Sequence, residues 1–360
     1  MTLHPIKLPK SAIRLFRVVV LQKKLLKALC DPALNSQSID IAWLQGVWRT
    51  LDTEWVRRFC LGGSKSPLRS LKAIAQASVD ARRALYEEFS RQNRVAKSLH
   101  AGGDFQGIGT LNGFDRTLVK SVHTFFTQCY ELLSHNQATG WCGYQLPGNR
   151  ILSNRSYKDD FTSEFPTKVV CPYCDGEIGT AKFDHYLCKK HFPLLACSPW
   201  NLVPVCTSCN ELSAKGDRLA LTASLPRSMV NWLHPFFRIA SNEVQIRLSG
   251  LPNASMPRLY SPDATEQVRL DHHTDLIRTL ADRWTNKVSA FFDNLVTAVN
   301  RKCDATNTVD VLVQERLEDV CAVRGRMASA LVHAAVCQAV LDRRPEYFDE
   351  FIDSNSPELV

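Results

Sequence analysis

The chain has 360 residues and carries 44 Lys and Arg against 36 Asp and Glu, which gives a formal net charge of +8. Its composition, 45% hydrophobic and 22% charged, is that of an ordinary globular protein and excludes a largely disordered or low-complexity chain. Residues 1–120 hold 20 basic and 9 acidic side chains, so the excess positive charge lies near the amino terminus. We expect two or three compact units, because single cores stop growing at roughly 250–300 residues.

Nothing in the sequence predicts a membrane or secretory segment. The longest weakly polar run, residues 327–341, is shorter than the roughly 18–20 apolar residues that a bilayer crossing needs. Arg14 and Arg17 interrupt the apolar stretch nearest the amino terminus, which argues against a signal peptide. The 13 cysteines are an odd number scattered over a long chain. We therefore expect a cytoplasmic protein with reduced thiols, in which metal binding is favoured over disulfide formation.

Residues 1–150 are predicted to form a basic helical region. Pro67 after Ser66 indicates a helix start, and apolar residues recur from there at whole helical turns. These residues are Leu71, Ile74, Ala81, Leu85 and Phe89. The glycine-rich stretch 102–113 lacks the Gly-Lys-Ser/Thr ending of a phosphate-binding loop, so it indicates a flexible connection. Residues 140–166, rich in Gly, Pro and polar side chains, predict an irregular lead-in to the next unit.

Residues 151–225 contain two Cys-x-x-Cys pairs. The pairs are Cys171 with Cys174 and Cys206 with Cys209. Four thiolates supplied in this way match the tetrahedral coordination of structural Zn²⁺, and turn-forming residues surround both pairs. We therefore predict a closed structural zinc site. The alternative is a set of unrelated buried cysteines, and we assign Cys188 and Cys197 to that class because neither has a second cysteine at the same spacing.

The segment between the cysteine pairs is predicted to form a β-hairpin. Residues 182–187 and 202–205 are short and rich in apolar residues, and residues 206–215 are predicted to form a helix packed across them. Asp184 directly precedes His185, which places a hard oxygen ligand beside an imidazole that titrates near neutrality. Metal-assisted hydrolysis uses such groups. The pair alone is weak evidence, since most such pairs are solvated surface groups.

Residues 226–360 are predicted to form a second helical region. An apolar stripe from Ile277 to Val299 has the spacing of one long helix, whose start is expected near Ser261 and Pro262. A second long helix after Thr308 is expected to bury five apolar residues. They are Val313, Leu317, Val320, Met327 and Leu331. The predicted fold class is α+β and predominantly helical, with a small ββα core between helical flanks.

In combination, these residues resemble the zinc-bearing branch of the HNH endonucleases, also called His-Me finger or ββα-metal nucleases. The resemblance covers residues 168–218. It rests on Asp184-His185, Asn201-Leu202-Val203-Pro204, Cys209-Asn210 and Lys215, framed by the two Cys-x-x-Cys pairs. More loosely, residues 232–237 resemble a segment that follows the nuclease core in many bacterial members, including nuclease subunits of anti-phage defence operons such as the Septu and Zorya systems.

The resemblance implies a metal-dependent DNA endonuclease or nickase that hydrolyses phosphodiester bonds and leaves 5′-phosphate and 3′-hydroxyl ends. It assigns His185 as the general base, Asp184 and Asn210 as ligands of a catalytic Mg²⁺ or Mn²⁺ ion, and Asn201 as the residue that braces the loop. The four cysteines are then expected to hold a separate zinc ion. Double-stranded DNA is the expected substrate, and partner proteins of a defence system are expected in addition.

Three positions depart from the family pattern. Cys188 stands where relatives often have proline, and Asn210 stands where the name of the motif implies histidine, which is a common variant. Lys215 lies five residues after Asn210, where three is more usual. The role of Lys215 is therefore left open.

Basic residues suggest how nucleic acid is held. Lys189, Lys190, Lys215 and Arg218 border the predicted cleft, where each is as readily a plain surface charge as a phosphate contact. The basic amino-terminal region, with Arg14, Arg17, Lys23, Lys24 and Lys27, is the better candidate. Its binding is expected to be independent of DNA sequence and weakened by salt. A role in binding a partner protein competes with this interpretation.

Two alternatives to an active nuclease stay open. One is a zinc-stabilised nucleic-acid-binding or adaptor protein without catalysis. The other is a nuclease subunit that is silent until an assembly recruits it. His191, His272 and His273 lack carboxylate or cysteine partners at ligand spacing, so they are expected to be ordinary exposed or half-buried residues.

Overall fold

The structure, a computed structural model, describes residues 3–10, 12–47, 66–100, 110–132, 170–179, 181–223, 227–303 and 308–353. Within these ranges the chain is mostly helical and contains two small antiparallel sheets of two strands each. The predicted α+β class, dominated by helices, is therefore confirmed. Most of the glycine-rich stretch and the whole of the 140–166 lead-in lie outside the described residues.

Six helices lie in the described part of the amino-terminal region. They are α1 Ala12–Leu29, α2 Ile41–Val47, α3 Pro67–Ala75, α4 Val79–Gln92, α5 Val95–His100 and α6 Arg116–Leu132. The predicted start at Pro67 is confirmed, with Ser66 at the N-cap. The continuous helix through Phe89 is not: α3 ends at Ala75, and Ser78 begins α4 by accepting a hydrogen bond from the backbone N–H of Ala81. Both helices pack against the same core, so the apolar residues keep a helical spacing even though the helix is interrupted.

These helices pack into a core that we call the amino-terminal cluster. Its buried members include Leu15, Val18, Leu21, Leu25, Leu71, Ile74, Leu85, Phe89, Phe125 and Phe126. Helix α3 packs along α6, and α1 packs against α4. The loop that precedes the second strand of the predicted hairpin adds Leu194, Ala196 and Cys197 to the same core. Lys23, Lys24 and Lys27 lie on the exposed face of α1.

The predicted β-hairpin is present as β1 Lys182–His185 and β2 Leu202–Val205. The strands are antiparallel, with Asp184 opposite Val203 and His185 opposite Leu202. Successive side chains of a strand point to opposite faces. Accordingly, Phe183 and Leu202 pack with the amino-terminal cluster, whereas Val203 belongs to the other core. The hairpin therefore lies between the two cores of the molecule.

The prediction of a helix over residues 206–215 is wrong. The chain forms a single 3₁₀ turn, Thr207–Asn210, and Glu211 is then extended, with φ −71° and ψ 153°. A series of turns follows up to Gly216, which has φ +53°. A Cβ atom on Gly216 would lie 2.7 Å from the carbonyl oxygen of Leu212, so the turn requires glycine. Where a ββα core would have its helix, this chain has a 3₁₀ turn.

The carboxyl-terminal region contains a second hairpin and five helices in its described part. They are β3 Gln245–Arg247, β4 Arg258–Tyr260, α7 Ala264–Leu276, α8 Leu280–Asn300, α9 Val309–Ala322, α10 Ala330–Leu341 and α11 Pro345–Asp353. The predicted apolar stripe is confirmed on α8 from Leu280 to Val299, whereas Ile277 caps the end of α7. Helix α8 is therefore separate from the helix that starts near Pro262. The helix near Pro262 begins instead at Ala264, because Asp263 accepts a hydrogen bond from the N–H of Glu266.

The helix predicted after Thr308 is confirmed in part. Thr308 caps α9 by accepting a hydrogen bond from the N–H of Val311, and Val313 and Val320 are buried on it. The helix ends at Ala322, so Met327 lies in a connection and Leu331 lies on α10. Two shorter helices replace the long one.

The second core, which we call the zinc-side core, joins α7, α8, α10 and α11 to both cysteine pairs. Its buried members include Leu270, Leu276, Trp284, Val288, Leu331, Val336, Tyr347 and Phe351. Leu3, Val95 and Leu99 from the amino-terminal region also pack here. Packing therefore crosses the boundaries predicted at 150/151 and 225/226, and those boundaries stay a prediction. No helix among the described residues has the length and apolar character that a membrane crossing requires.

Candidate metal centre and the Asp184–His185 site

The four predicted zinc ligands lie together at the base of the hairpin. The sulfur atoms of Cys171, Cys174, Cys206 and Cys209 all lie within 4.8 Å of one another, and all four residues are buried. Cys188 and Cys197 are buried outside this group. The turn after the first pair is tight, because a Cβ atom on Gly176 would lie 3.2 Å from the sulfur of Cys174 and would force that side chain to shift. The first part of the prediction, a cluster of four cysteine side chains, is confirmed.

The cluster has the dimensions of a zinc site. Tetrahedral coordination with Zn–S bonds of about 2.3 Å separates the sulfur atoms by about 3.8 Å, and the sulfurs of Cys174 and Cys206 are 3.7 Å apart. Hydrogen bonds with the other three cysteines lower the pKa of the Cys206 thiol, whereas burial raises the pKa of the Cys171 thiol. The thiolate is the form that binds metal. These four residues could therefore hold one Zn²⁺ ion in a closed, structural site.

Side chains from distant segments hold the first cysteine pair. Asp175, buried and at φ +58°, accepts a hydrogen bond from the backbone N–H of Leu331 at 2.7 Å. Its other carboxylate oxygen lies 2.6 Å from Nε2 of His4. The indole N–H of Trp284 donates to the carbonyl oxygen of Cys174 at 2.9 Å. The knuckle therefore ties the start of the chain to α8 and α10.

Arg283 on α8 contacts the second cysteine pair. Its Nη2 atom lies 3.1 Å from the sulfur of Cys209 and its Nη1 atom lies 3.7 Å from the sulfur of Cys206. A zinc ion held by four thiolates would carry a net charge of −2, and a guanidinium group donating to two of the sulfurs would neutralise part of that charge. Arg283 is thus a partner of the cluster that the sequence analysis missed.

Asp184 is bound by other side chains on the zinc-side face of the hairpin. The hydroxyl of Tyr173 donates to Asp184 Oδ2 at 2.7 Å. The ammonium nitrogen of Lys215 lies 3.2 Å from Oδ1 and 3.0 Å from Oδ2. Lys215 also donates to the carbonyl oxygen of His185 at 2.9 Å. Both oxygens that the resemblance assigns to a catalytic metal therefore contact groups of the protein.

His185 points to the opposite face, as strand alternation requires. Its Nε2 atom lies 3.1 Å from the carbonyl oxygen of Ala196, and Tyr130 packs against the ring at 4.5 Å. Burial, and then the positive charge of Lys189, lower the pKa of His185 to about 3. The imidazole is therefore neutral at physiological pH.

Asn201 holds the loop between the strands. Its side-chain oxygen accepts a hydrogen bond from the backbone N–H of Leu187 at 2.7 Å. Its side-chain nitrogen donates to the carbonyl oxygens of Leu187 at 3.0 Å and Leu195 at 3.2 Å. With the side chain only 3% exposed, these three bonds fix the chain that follows β1.

The remaining predicted site residues lie nearer the surface. Asn210 is exposed at the end of the 3₁₀ turn. Lys190 is exposed and pairs with Asp217 at 2.8 Å, while Lys189 lies over the ring of Tyr130 at 5.3 Å. Arg218, half-buried, donates to the carbonyl oxygen of Leu276 at 3.1 Å. The structure thus brings Asp184 together with Lys215, while Asn210 remains on the surface.

The 232–237 segment packs beside the end of β1. Tyr186 donates to the carbonyl oxygen of Leu233, and its ring lies 4.9 Å from that of His234. Trp200, just before β2, packs against Phe236 and Phe237. The segment therefore supports the hairpin from the side.

The prediction for the exposure of His273 is wrong. His273 is fully buried, not exposed or half-buried, and its Nε2 atom lies 2.6 Å from the carbonyl oxygen of Tyr173. Burial is the main cause that lowers its pKa to about 3. His272 is half-buried, as predicted, and stacks on Trp232. His273 is one more side chain that bonds to the backbone of the first knuckle.

Sequence reasoning missed these supporting residues for different reasons. Tyr173 lies inside the first Cys-x-x-Cys pair and Asp175 directly follows it, so their proximity to the cysteines could have been read from the sequence. Arg283 lies 74 residues after Cys209, and nothing local links them. Its position beside the buried Trp284 on α8 becomes informative only once the helix is docked.

Comparisons with known proteins give one distant relative. No protein-family model matches the chain, and no solved structure matches it. It is similar to protein ea31 of Escherichia phage lambda, with 31% identity over 183 residues, which make up 46% of this chain and 57% of the phage protein. The similarity spans little more than half the length of that relative. The name of the phage protein states no activity, so the similarity assigns none.

Proposed function

We propose that this chain is a DNA endonuclease that hydrolyses phosphodiester bonds and leaves 5′-phosphate and 3′-hydroxyl ends. The observation that carries the proposal is the position of a neutral imidazole, His185, at the end of a strand whose following loop is locked by Asn201. This hairpin is joined to a tetrathiolate cluster that could hold zinc. The resemblance of residues 168–218 to zinc-bearing HNH nucleases supports the same activity.

His185 supplies the proton acceptor in this proposal. A carbonyl oxygen can only accept a hydrogen bond, so the contact with Ala196 places the ring proton on Nε2. Nδ1 then has a free lone pair and can take a proton from a water molecule that attacks phosphorus. The low pKa keeps the ring neutral at physiological pH, which a general base requires, and also makes it a weak base in this conformation.

The metal ion that the resemblance implies does not fit Asp184 as the structure places it. Asp184 and Asn210 are hard oxygen donors of the type that Mg²⁺ prefers. However, both carboxylate oxygens of Asp184 contact Lys215, and Tyr173 donates to one of them. Asp184 therefore acts here as a buried anchor for the strand. Its partner Lys215 also donates to the carbonyl oxygen of His185 and so orients the main chain there.

A plasmid-nicking assay tests the proposed activity. The wild-type chain is expected to convert supercoiled plasmid to the nicked form with Mg²⁺ or Mn²⁺ present. His185→Ala should lower the rate by about 10²-fold or more, because general-base catalysis is worth about 10²–10⁴. His272→Ala, which removes a half-buried imidazole on Trp232, is the matched control and should keep the rate. Equal rates for wild type and His185→Ala, with equal zinc content, would overturn the proposal.

A second candidate function is a zinc-stabilised nucleic-acid-binding or adaptor protein without catalysis. The pairing of Asp184 with Lys215 favours it, because a purely structural carboxylate needs no metal. In that case no ion should support nicking, while DNA binding and zinc content stay unchanged. A nuclease that is silent alone and cuts only with partner proteins, as in an anti-phage defence assembly, is separated from this candidate by repeating the assay with the products of neighbouring genes.

The exposed face of α1 is the proposed DNA-docking surface. The helix contains five basic and no acidic residues, and Lys23 and Lys27 are exposed on it. Each phosphate contact contributes about 0.9 to the slope of log affinity against log salt. Replacing both lysines with alanine should therefore weaken DNA binding and reduce this slope by up to about 2. An unchanged slope would assign the face to another partner.

A further inference from the structure

Lys215 has an environment that a surface lysine never has. Its side chain is 0% exposed, and its ammonium group contacts three oxygen atoms. They are Asp184 Oδ1 at 3.2 Å, Asp184 Oδ2 at 3.0 Å and the carbonyl oxygen of His185 at 2.9 Å. An ammonium group has three N–H donors. The oxygen atoms around Lys215 match the whole hydrogen-bonding capacity of the group.

The backbone fixes Lys215 in this place. The N–H groups of Ala214 and Gly216 both donate to the carbonyl oxygen of Glu211, which closes the turn on each side of the lysine. Gly216 adopts φ +53°, and any side chain there would meet the Leu212 carbonyl. The turn begins directly after the second cysteine pair, so the zinc cluster and the glycine together determine where the ammonium group lies.

The opposite side of the carboxylate is fixed by the first cysteine pair. Tyr173, which donates to Asp184 Oδ2, stands between Cys171 and Cys174 and is fully buried. The carboxylate is thus held between a residue of one knuckle and a residue that follows the other. A Mg²⁺ ion would need to approach a carboxylate oxygen to about 2.0–2.1 Å, where it would meet the positive charge of Lys215. The two cations compete for one position.

We propose that Lys215 is the resident cation of Asp184 and that its ammonium group excludes divalent metal ions from this carboxylate. Lys215 is then a positioning residue: it neutralises Asp184 and fixes the carbonyl group of His185, so the orientation of His185 depends on an ion pair within the protein. The inference concerns the site of the proposed nuclease and assigns that site an internal cation.

Manganese titration of the zinc-loaded full chain tests the proposal, with free Mn²⁺ measured by electron paramagnetic resonance. Wild type and Asp184→Asn are expected to bind the same number of Mn²⁺ ions. Lys215→Met should gain one site per chain, with at least tenfold tighter binding than any site in wild type, and the double variant Asp184→Asn with Lys215→Met should lose it. Lys189→Met, which removes a neighbouring half-buried lysine, is the matched control and should gain no site.

A measurement on the wild-type chain keeps the test decisive if Lys215→Met does not fold. Val203 lies opposite Asp184 in the hairpin, so its methyl signals report a paramagnetic ion at this carboxylate. Addition of Mn²⁺ should leave them as sharp as the methyl signals of Val340 on α10. Selective broadening at Val203, or one more Mn²⁺ site in wild type than in Asp184→Asn, would overturn the proposal. Absence of nicking activity with any ion would overturn the proposed nuclease and leave these binding results unchanged.

Discussion

The amino-terminal cluster and the zinc-side core are stabilised in different ways. In the cluster, α1, α3, α4 and α6 bury apolar side chains against one another, for example the stacked rings of Phe89 and Phe126. Around the cysteine pairs the backbone is mostly turns, and side chains far away in sequence bond to it. His273 contacts the carbonyl oxygen of Tyr173, and Trp284 donates to that of Cys174.

The difference follows from the backbone. A helix satisfies most of its own N–H and C=O groups, so apolar packing suffices to hold helices together. A buried turn leaves such groups without partners unless side chains supply them, and each unsatisfied group costs about 1–3 kcal/mol. The knuckles should therefore depend on individual polar residues and on a metal ion, whereas the cluster should depend on neither.

Removal of the metal ion is expected to separate the two cores most strongly. Structural zinc contributes on the order of 10 kcal/mol in small zinc domains, which is as large as the whole stability of an ordinary domain. A strong chelator, or Cys206→Ser, should therefore abolish hydrogen-exchange protection in residues 171–179 and 202–215. Mass spectrometry should find α1 and α6 still protected. Simultaneous loss of protection in both regions would show that the cores do not differ in this way.

Replacement of Asp175 should have the next largest effect. Asp175→Ala removes the buried acceptor for the Leu331 N–H and the partner of His4, and breaking such a buried contact costs about 3–5 kcal/mol. The free energy of unfolding, measured in urea, should fall by about that amount. Asp310→Ala removes an acid from an exposed pair with Arg343 and should cost about 0–1 kcal/mol.

Asp175→Asn separates two contributions to this loss. Asparagine tolerates the positive φ of residue 175 as aspartate does, so it keeps the backbone conformation and removes the charge. It should be more stable than Asp175→Ala and less stable than wild type. If Asp175→Ala were no more harmful than Asp310→Ala, the knuckle would not depend on this carboxylate.

Replacement of Arg283 tests whether a side chain of α8 strengthens zinc binding by the four cysteines. Arg283→Gln removes the guanidinium group that contacts the sulfurs of Cys206 and Cys209. Partners of metal ligands typically contribute 10–100-fold to affinity, so competition with a chelator should show zinc binding weakened by about that factor. Arg278→Gln, at an exposed position between α7 and α8, should leave the affinity unchanged. Equal affinities in the two variants would contradict the role given to Arg283.

The parts of the molecule that could be predicted from the sequence are those that depend on local patterns of residues. The tetrathiolate cluster follows from two Cys-x-x-Cys pairs, and the hairpin follows from two short apolar segments. The break between α3 and α4 is hidden, because Ile74 and Ala81 are separated by two helical turns and both face the cluster. The missing helix after Cys206 depends on the extended backbone of Glu211 and on Gly216, and spacing reports neither.

The contacts of Asp184 were the hardest part of the site to predict, because they depend on the tertiary structure. The Asp-His dipeptide suggests two groups acting on one ion, yet adjacent residues of a strand point to opposite faces. Asp184 therefore meets Tyr173 and Lys215, while His185 meets Tyr130 and Ala196. Burial of Lys215 could not be read from its spacing to Asn210, because the turn that buries it has no periodic pattern.

The pH dependence of the unfolding free energy tests the packing of the hairpin, where the two cores meet. The pKa of His185 is about 3 in the folded chain, against the ordinary value of 6.5. Between these values the unfolded chain binds a proton that the folded chain does not, so stability falls as the pH falls through this window. His185 should therefore remove about 2 kcal/mol of unfolding free energy between pH 7 and pH 5.

His185→Gln lacks this titration, so its stability should fall less steeply than that of wild type over the same interval. Urea unfolding at pH 7, 6 and 5, with zinc content measured at each pH, isolates the histidine from protonation of the thiolates, since both proteins share the same cluster. Parallel curves would mean that the ring is as accessible to protons in the folded chain as in the unfolded one. That result would contradict burial of His185 against Tyr130 and, with it, the close packing of the hairpin on the amino-terminal cluster.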